Sequence, residues 1–177
     1  MVVDEGQVFR KVKLSSIEPG DYKYLRVSLS YQNYAIDLRA QGMDLTGTLA
    51  SFIGFNTYIE SFKIKDSTIT VNDNKKQGYW SFETQYGTVT GQAPGTTVPN
   101  PISKTSPIPP GSCLVTGEFQ EPLSITGDES KDQTVIISVS TNKSFEWKDP
   151  NDNGVYEPQK NDQVVDMGIR GLKGVVQ

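Results

Sequence analysis

The stretch Tyr22-Lys23-Tyr24-Leu25-Arg26-Val27-Ser28-Leu29-Ser30-Tyr31 decides the fold class. Leu25, Val27, Leu29 and Tyr31 alternate with Tyr24, Arg26, Ser28 and Ser30. A period of two puts one set on each face of a strand, so the reading is a half-buried β-strand. A turn signal, Glu18-Pro19-Gly20, stands just before it.

The same pattern recurs on both sides. Ile36 and Leu38 share a face within Tyr34 to Arg39, and Ile69 and Val71 share one within Ser67 to Val71. Val135, Ile137 and Val139 share a face of Thr134 to Ser140, and Phe145 and Trp147 a face of Ser144 to Lys148. Phe9, Val12 and Leu14 suit a short edge strand. Thr46 to Phe55 is apolar enough for a helix, but Gly47, Gly54, Thr46 and Thr48 weaken one. It reads as a buried strand or an irregular segment packed on the sheet. Tyr58 to Lys65 follows as a strand. Asn72 to Gly78 reads as the turn of a hairpin that Tyr79 to Thr84 completes, with Trp80 and Phe82 together. Cys113 to Phe119 and Leu123 to Thr126 add strands, and Gln163 to Arg170 ends the fold. The sum is all-β: an antiparallel β-sandwich of about nine to eleven short strands.

Residues 92–112 hold six of the ten prolines. A stretch this long without regular structure is either a crossover between sheets or a linker. A linker would leave a second unit of about 65 residues with no disulfide, which is marginal alone. The expectation is one domain over 1–177, with the alternative boundary at the Pro-rich loop.

Composition narrows the function. Seventeen basic residues stand against 21 acidic ones, for a net charge of −4. With no basic run, nucleic acid is not an expected partner. No apolar run approaches the ~20 residues that span a bilayer. Met1-Val-Val-Asp-Glu5 is acidic where a signal peptide is basic, so Met1 reads as a start codon on a trimmed mature chain. Histidine is absent, which removes Ser-His-Asp and Cys-His catalysis and His-ligated zinc. Cys113 is the lone cysteine, so no intrachain disulfide forms, and it reads as a small buried strand residue.

One loop carries ligand-like spacing: Asp149-Pro150-Asn151-Asp152-Asn153-Gly154-Val155-Tyr156-Glu157. Asp149, Asn151 and Asn153 fall at the first, third and fifth positions of a calcium loop. Gly154 makes the sharp turn, the Val155 carbonyl takes the seventh place and Glu157 the ninth. Oxygen donors on alternate residues suit Ca²⁺, which accepts many oxygens in loose geometry. The twelfth place is Lys160, where a bidentate Glu belongs; Asp162 is the substitute if the loop is longer. The alternative is an Asx-rich hairpin turn, which this chain also uses at Asn72-Asp73-Asn74 and Gly127-Asp128-Glu129.

The loop resembles those of EF-hands and dockerins over nine residues, although a strand, Ser144 to Lys148, leads into it instead of a helix. A wider resemblance rests on several stretches. They are Tyr31-Gln-Asn-Tyr34, Gln77-Gly-Tyr-Trp-Ser-Phe-Glu-Thr84, Pro110-Gly-Ser-Cys-Leu-Val-Thr-Gly117, Ile125-Thr-Gly-Asp-Glu129, Asn142-Lys-Ser-Phe-Glu-Trp-Lys148 with the Asx loop after it, and Val164-Val-Asp-Met-Gly-Ile-Arg170. Together they resemble an uncharacterised family of exported lipoproteins of Bacteroidota. That resemblance implies a mature domain in the periplasm or on the outer-membrane surface. The membrane would be reached only through a lipidated Cys upstream of this chain.

Two further constellations remain. Tyr22, Tyr24, Tyr31, Tyr34, Tyr58, Tyr79, Trp80, Tyr86 and Trp147 lie in or beside strands. They read as core and cross-strand packing, or, with Tyr79 and Trp80 exposed, as a platform for sugar rings. Glu60, Glu83, Glu118 and Glu121 could pair as a glycosidase acid and base only if the fold brings two together. The expected function is a non-catalytic exported cell-envelope β-sandwich with a binding or structural role, its partner a glycan or another surface protein, with structural Ca²⁺. The alternatives are a glycan-binding module and a carboxylate-based glycan hydrolase.

Overall fold

The computed structural model describes residues 1–55, 59–71 and 75–177. Tyr58 and the Asn72-Asp73-Asn74 turn lie outside the described residues. β1 (Gly20–Ser28) ends just before β2 (Tyr31–Ala40), so the opening stretch is two strands broken at Leu29-Ser30. Leu25 and Val27 are half-buried and Arg26 and Ser28 exposed, as the alternation requires. β2 turns back into β3 (Met43–Phe52) through Gln41 and Gly42, whose φ angles of 52° and 76° have the hand that suits a tight hairpin. β3 takes up most of the Thr46–Phe55 stretch as a strand, buried from Leu49 onward.

β4 (Ser61–Lys63) and β5 (Thr68–Thr70) form one hairpin, and β6 (Tyr79–Thr84) and β7 (Gly87–Gln92) another. The expected hairpin of Ser67–Val71 with Tyr79–Thr84 does not form: β6 pairs with β3 instead. The reason is burial. Tyr79, Ser81 and Phe82 are all buried, and only a strand covered on both faces can bury neighbours that point opposite ways. β8 (Gly95–Thr96) precedes the crossover. β9 (Leu114–Ile125), β10 (Val135–Ser140), β11 (Phe145–Lys148), β12 (Gln163–Met167) and β13 (Arg170–Val176) follow it. The described residues thus hold thirteen strands, more than the nine to eleven expected. Gly87–Gln92, Gly95–Thr96 and Arg170–Val176 add strands that alternation did not show, while the two stretches from Cys113 to Thr126 merge into β9.

Two other expectations fail for local reasons. Leu14 enters a short 3-10 turn, Leu14–Ser16, while Phe9 and Val12 remain 38% and 55% exposed, so no edge strand forms there. Val139 does not share the inner face with Val135 and Ile137. It is 48% exposed, at the point where the β10–β13 ladder takes one extra residue on the β13 side.

The strands assemble as four sheets ordered β1-β9-β13-β10, β11-β12-β8, β2-β3-β6-β7 and β4-β5. Among the described strands all pairings are antiparallel except β9–β13 and β8–β12. The β2-β3-β6-β7 sheet is covered on both faces. On one face Ala50, Phe52 and Tyr79 pack against Phe62, Ile64 and Val71 of the β4–β5 hairpin. On the other, Leu38, Leu49 and Phe82 pack against Phe145, Tyr156 and Met167. Ile53, Val115 and Ile169 close a third cluster. At ~25 cal/mol per Å² of apolar surface, such burial is the main favourable term in the fold.

The Pro-rich crossover is tied at several points. Arg26 donates to Thr116 Oγ1 at 3.0 Å and to the Ser106 carbonyl at 2.6 Å. Arg170 donates to the Thr97 carbonyl at 2.8 Å and to Asp166 Oδ2 at 2.9 Å. The amide of Phe55 donates to the Gly111 carbonyl at 3.0 Å. Strands from both sides of the crossover share the β1-β9-β13-β10 sheet.

Candidate functional site

The Asx loop joins β11 to β12. The β11 end is set by three aromatic rings. Phe145, Trp147 and Tyr156 meet with centroids 4.9 to 5.7 Å apart, the Phe145–Tyr156 pair edge to face. Tyr156 also fastens the loop to the neighbouring sheet: its carbonyl accepts from the Arg39 amide at 2.9 Å, beside a parallel bridge to Leu38. These contacts explain why a polar loop returns to the core after only a few residues.

Asp149 organises the loop. Its Oδ2 accepts from the amides of Asn153 and Gly154, both at 2.7 Å, and its Oδ1 from the amide of Asn151 at 3.0 Å. The Gly154 amide foremost, with those of Asn153, Asn151 and Asp152, holds the Asp149 carboxyl below the usual range, against the opposing effect of burial. Asp152 and Gly154 adopt φ of 50° and 72°, the left-handed bends that let these amides converge.

Asn153 is used at both ends. Its Oδ1 accepts from the Val155 amide at 2.9 Å and its Nδ2 donates to Glu157 Oε2. Glu157 is 8% exposed and Asp162 is 7% exposed. The Glu157 amide donates to Asp162 Oδ2 at 2.6 Å, while Asp162 Oδ1 is enclosed with no hydrogen-bond partner. Burial first, and then the Asp162 charge, raise the Tyr156 hydroxyl above the usual range. Of the expected ligands, the loop therefore gathers Asp149, Asn153 and Glu157 through direct bonds, with Asn151 and Val155 contributing amides to the same turn. Asp162 meets the same loop through its bond from the Glu157 amide. Lys160 itself ends the short 3-10 turn Pro158–Lys160 and is exposed.

No group of three or more acidic or cysteine side chains among the described residues is gathered to hold a metal ion by those groups alone. A cation here would draw on neutral oxygens as well. The fit of the residues to such an ion rests on Asp162 Oδ1, an orphaned buried acceptor on a loop otherwise rich in oxygen.

Beside the loop lies an open cleft of about 530 Å³, lined by Lys143, Phe145, Glu146, Trp147, Asp149 and Gly154 among others. Spacing did not single out Glu146 or Lys143; alternation along β11 is the signal that puts Glu146 opposite the buried Phe145. A second cavity of about 250 Å³ lies under the crossover between Thr96 and Ser112 and carries no charged side chain.

The other candidates are dispersed. Tyr79 and Trp80 do not make one exposed strip: Tyr79 is 7% exposed in the Phe52–Phe62 cluster, and Trp80 packs on the opposite face against the Leu49–Phe82 cluster. Adjacent strand residues point to opposite faces, so a platform from these two is geometrically excluded. Glu60, Glu118 and Glu121 are exposed and line neither cavity. Glu83 accepts from the amides of Lys65, Asp66 and Ser67 at 3.0 to 3.3 Å, bracing the β4–β5 turn. Cys113 is buried, which raises its thiol above the usual range despite a contact with Ser30 Oγ.

No family model matches the chain, no curated protein matches it, and no solved structure matches it.

Proposed function

We propose that the chain is a non-catalytic exported β-sandwich of the cell envelope, with a binding or structural role, in which the Asp149–Asp162 loop holds one structural Ca²⁺. The observation that carries this reading is the pair Glu157 and Asp162: two buried acids on one loop, one with an unpartnered oxygen. Burying carboxylates without enough donors is costly, and a hard cation removes that cost. Asp149, Glu157 and Asp162 would supply charge, and Asn151, Asn153 and the Val155 carbonyl would fill the sphere. The ion would pin the loop between β11 and β12 and do no chemistry. The likeness to exported lipoproteins of Bacteroidota is what supports a periplasmic or outer-membrane-surface location, open to external calcium.

An affinity on the order of 10⁻⁴ M is expected, as in extracellular modules. At ~2 mM Ca²⁺ that stabilises the fold by about 1.8 kcal/mol through mass action. The test is thermal melting with calcium against chelator, for the parent and for Asp149→Ala. A rise of about 4–7 °C in the parent alone is expected. Equal melting temperatures with calcium and with chelator would leave the loop an ordinary Asx turn.

A second reading, a glycan-binding module, now rests on Trp147 in place of Tyr79 and Trp80. Its half-buried ring lines the open cleft together with Lys143, Glu146 and Asp149, which is the mix of stacking surface and polar edge that sugars require. A glycan array probed with and without calcium separates the two: signal lost in Trp147→Ala supports it, and no signal in the parent ends it.

A further inference from the structure

The edges of the larger sheets are not alike. β1 carries Asp21, Lys23 and Arg26 and a register shift between Tyr22 and Tyr24. The ladder of β10 with β13 shifts register between Ser138 and Ser140, with the extra residue on β13. β2 carries Asp37 and Arg39 and receives Tyr156 along its length through the Leu38 bridge. Charges, bulges and covering segments are the devices that stop a free edge from pairing with another chain. Among the described residues β7 has none of them. Gly87-Thr88-Val89-Thr90-Gly91-Gln92 contains no charge and no proline, its register with β6 is unbroken, and residues 87–90 are all exposed.

β7 also reads the same in both directions from Gly87 to Gly91. A two-fold interface needs self-complementarity, since each residue meets its symmetry mate's counterpart. Antiparallel pairing centred on Val89 sets Val89 against Val89 of a second copy, Thr88 against Thr90, and Gly87 against Gly91. Small β-branched pairs of this kind favour cross-strand contact, and no like charges are opposed. The backbone agrees. The two-residue turn Gln85-Tyr86 makes Thr84 and Gly87 the closing pair with β6. Gly87, Val89 and Gly91 then turn their amides and carbonyls toward β6, and Thr88 and Thr90 turn theirs outward. The outward groups are those that two-fold pairing would join, in about four interchain hydrogen bonds.

The side-chain environment points the same way. Val89 lies opposite Phe82, on the face that carries the Leu49–Phe82 cluster, yet it is 62% exposed. An apolar group on the inner face of a sheet is left uncovered where that sheet stops. We infer that β7 is a self-association edge through which two copies of this chain join their sheets antiparallel about Val89. A contact six residues long is small beside the ~1,200 Å² or more of stable complexes, so the dimer is reversible and concentration-dependent.

The experiment is sedimentation equilibrium of the full chain over a wide concentration range. The parent should rise from 19.5 kDa toward twice that mass. Val89→Lys sets lysine against lysine and should weaken association by about tenfold or more. Thr88→Lys with Thr90→Lys should do the same, whereas Thr88→Lys with Thr90→Glu opposes unlike charges and should restore the dimer. All three alter exposed positions, and a melting curve beside each confirms folding. A monomeric parent at the highest concentration, growth past a dimer, or undiminished association in a folded Val89→Lys protein would each overturn the inference.

Discussion

Replacing Glu83 with Gln removes a charged acceptor from three amides without changing the size of the side chain. The carboxylate accepts from Lys65, Asp66 and Ser67 through five contacts of 3.0 to 3.3 Å and thereby braces the β4–β5 turn over the Phe52–Phe62–Tyr79 cluster. A hydrogen bond to a charged group contributes about 1.5–3 kcal/mol where water is excluded. Lys65 and Asp66 are exposed, so water replaces part of what is lost, and the net cost is about 1–2 kcal/mol, or about 3–6 °C in melting temperature. The pH dependence gives a second handle. Burial acts to raise the Glu83 carboxyl, but the amides of Lys65, Ser67 and Asp66 outweigh it and leave the group below its ordinary range. A carboxyl lowered in the folded state contributes fully above its unfolded pKa of about 4.3 and loses that contribution as pH falls through the folded value. Thermal melts of parent and Glu83→Gln should therefore differ at neutral pH and converge as pH falls through the lowered folded-state pKa. A variant that melts with the parent at neutral pH, or a gap that stays constant into acid, refutes the brace.

Three further outcomes follow from the packing. Gly47→Ala puts a Cβ against the Phe82 ring and 2.9 Å from the Glu83 carbonyl, and should cost about 1–3 kcal/mol by denaturant titration. Met167 is fully buried in the cluster that joins Leu38, Leu49 and Phe82 to Phe145 and Tyr156. Met167→Ala should lower stability by about 2–5 kcal/mol, and one cooperative transition seen by both tryptophans would show that both sides of the crossover unfold together. Cys113 is 4% exposed with its thiol raised by burial, so a thiol reagent should react slowly until denaturant is added.

The fold class was legible because alternation survives in most strands. β1, β2 and β11 turn inward, half-buried or buried, the residues that their period assigns to the interior. Three features escaped the pattern for physical reasons. β6 is covered on both faces, so Tyr79 and Trp80 both look inward and alternation could not tell core from surface. Val139 is exposed where the β10–β13 ladder takes an extra residue on the β13 side, and such a shift leaves no local trace in the composition of β10. The partner of β6 is chosen by long-range packing against β3, which a turn signal at Asn72–Gly78 cannot reveal. The loop was readable to the extent that its chemistry is local: Asp149, Asn153 and Glu157 are linked by bonds within one short stretch. The role of Asp162 depends on a 3-10 turn that brings it back under Glu157, and the cleft around Trp147 depends on how β11 meets β12.

Calorimetric titration of Ca²⁺ into the full chain asks whether the Asp149–Asp162 loop takes up one calcium ion. One site per chain is expected, with a dissociation constant on the order of 10⁻⁴ M, lost in Asp162→Asn because that change removes the charge from the orphaned buried oxygen. Binding that is absent from the parent up to about 5 mM calcium, or unaltered in Asp162→Asn, would contradict it.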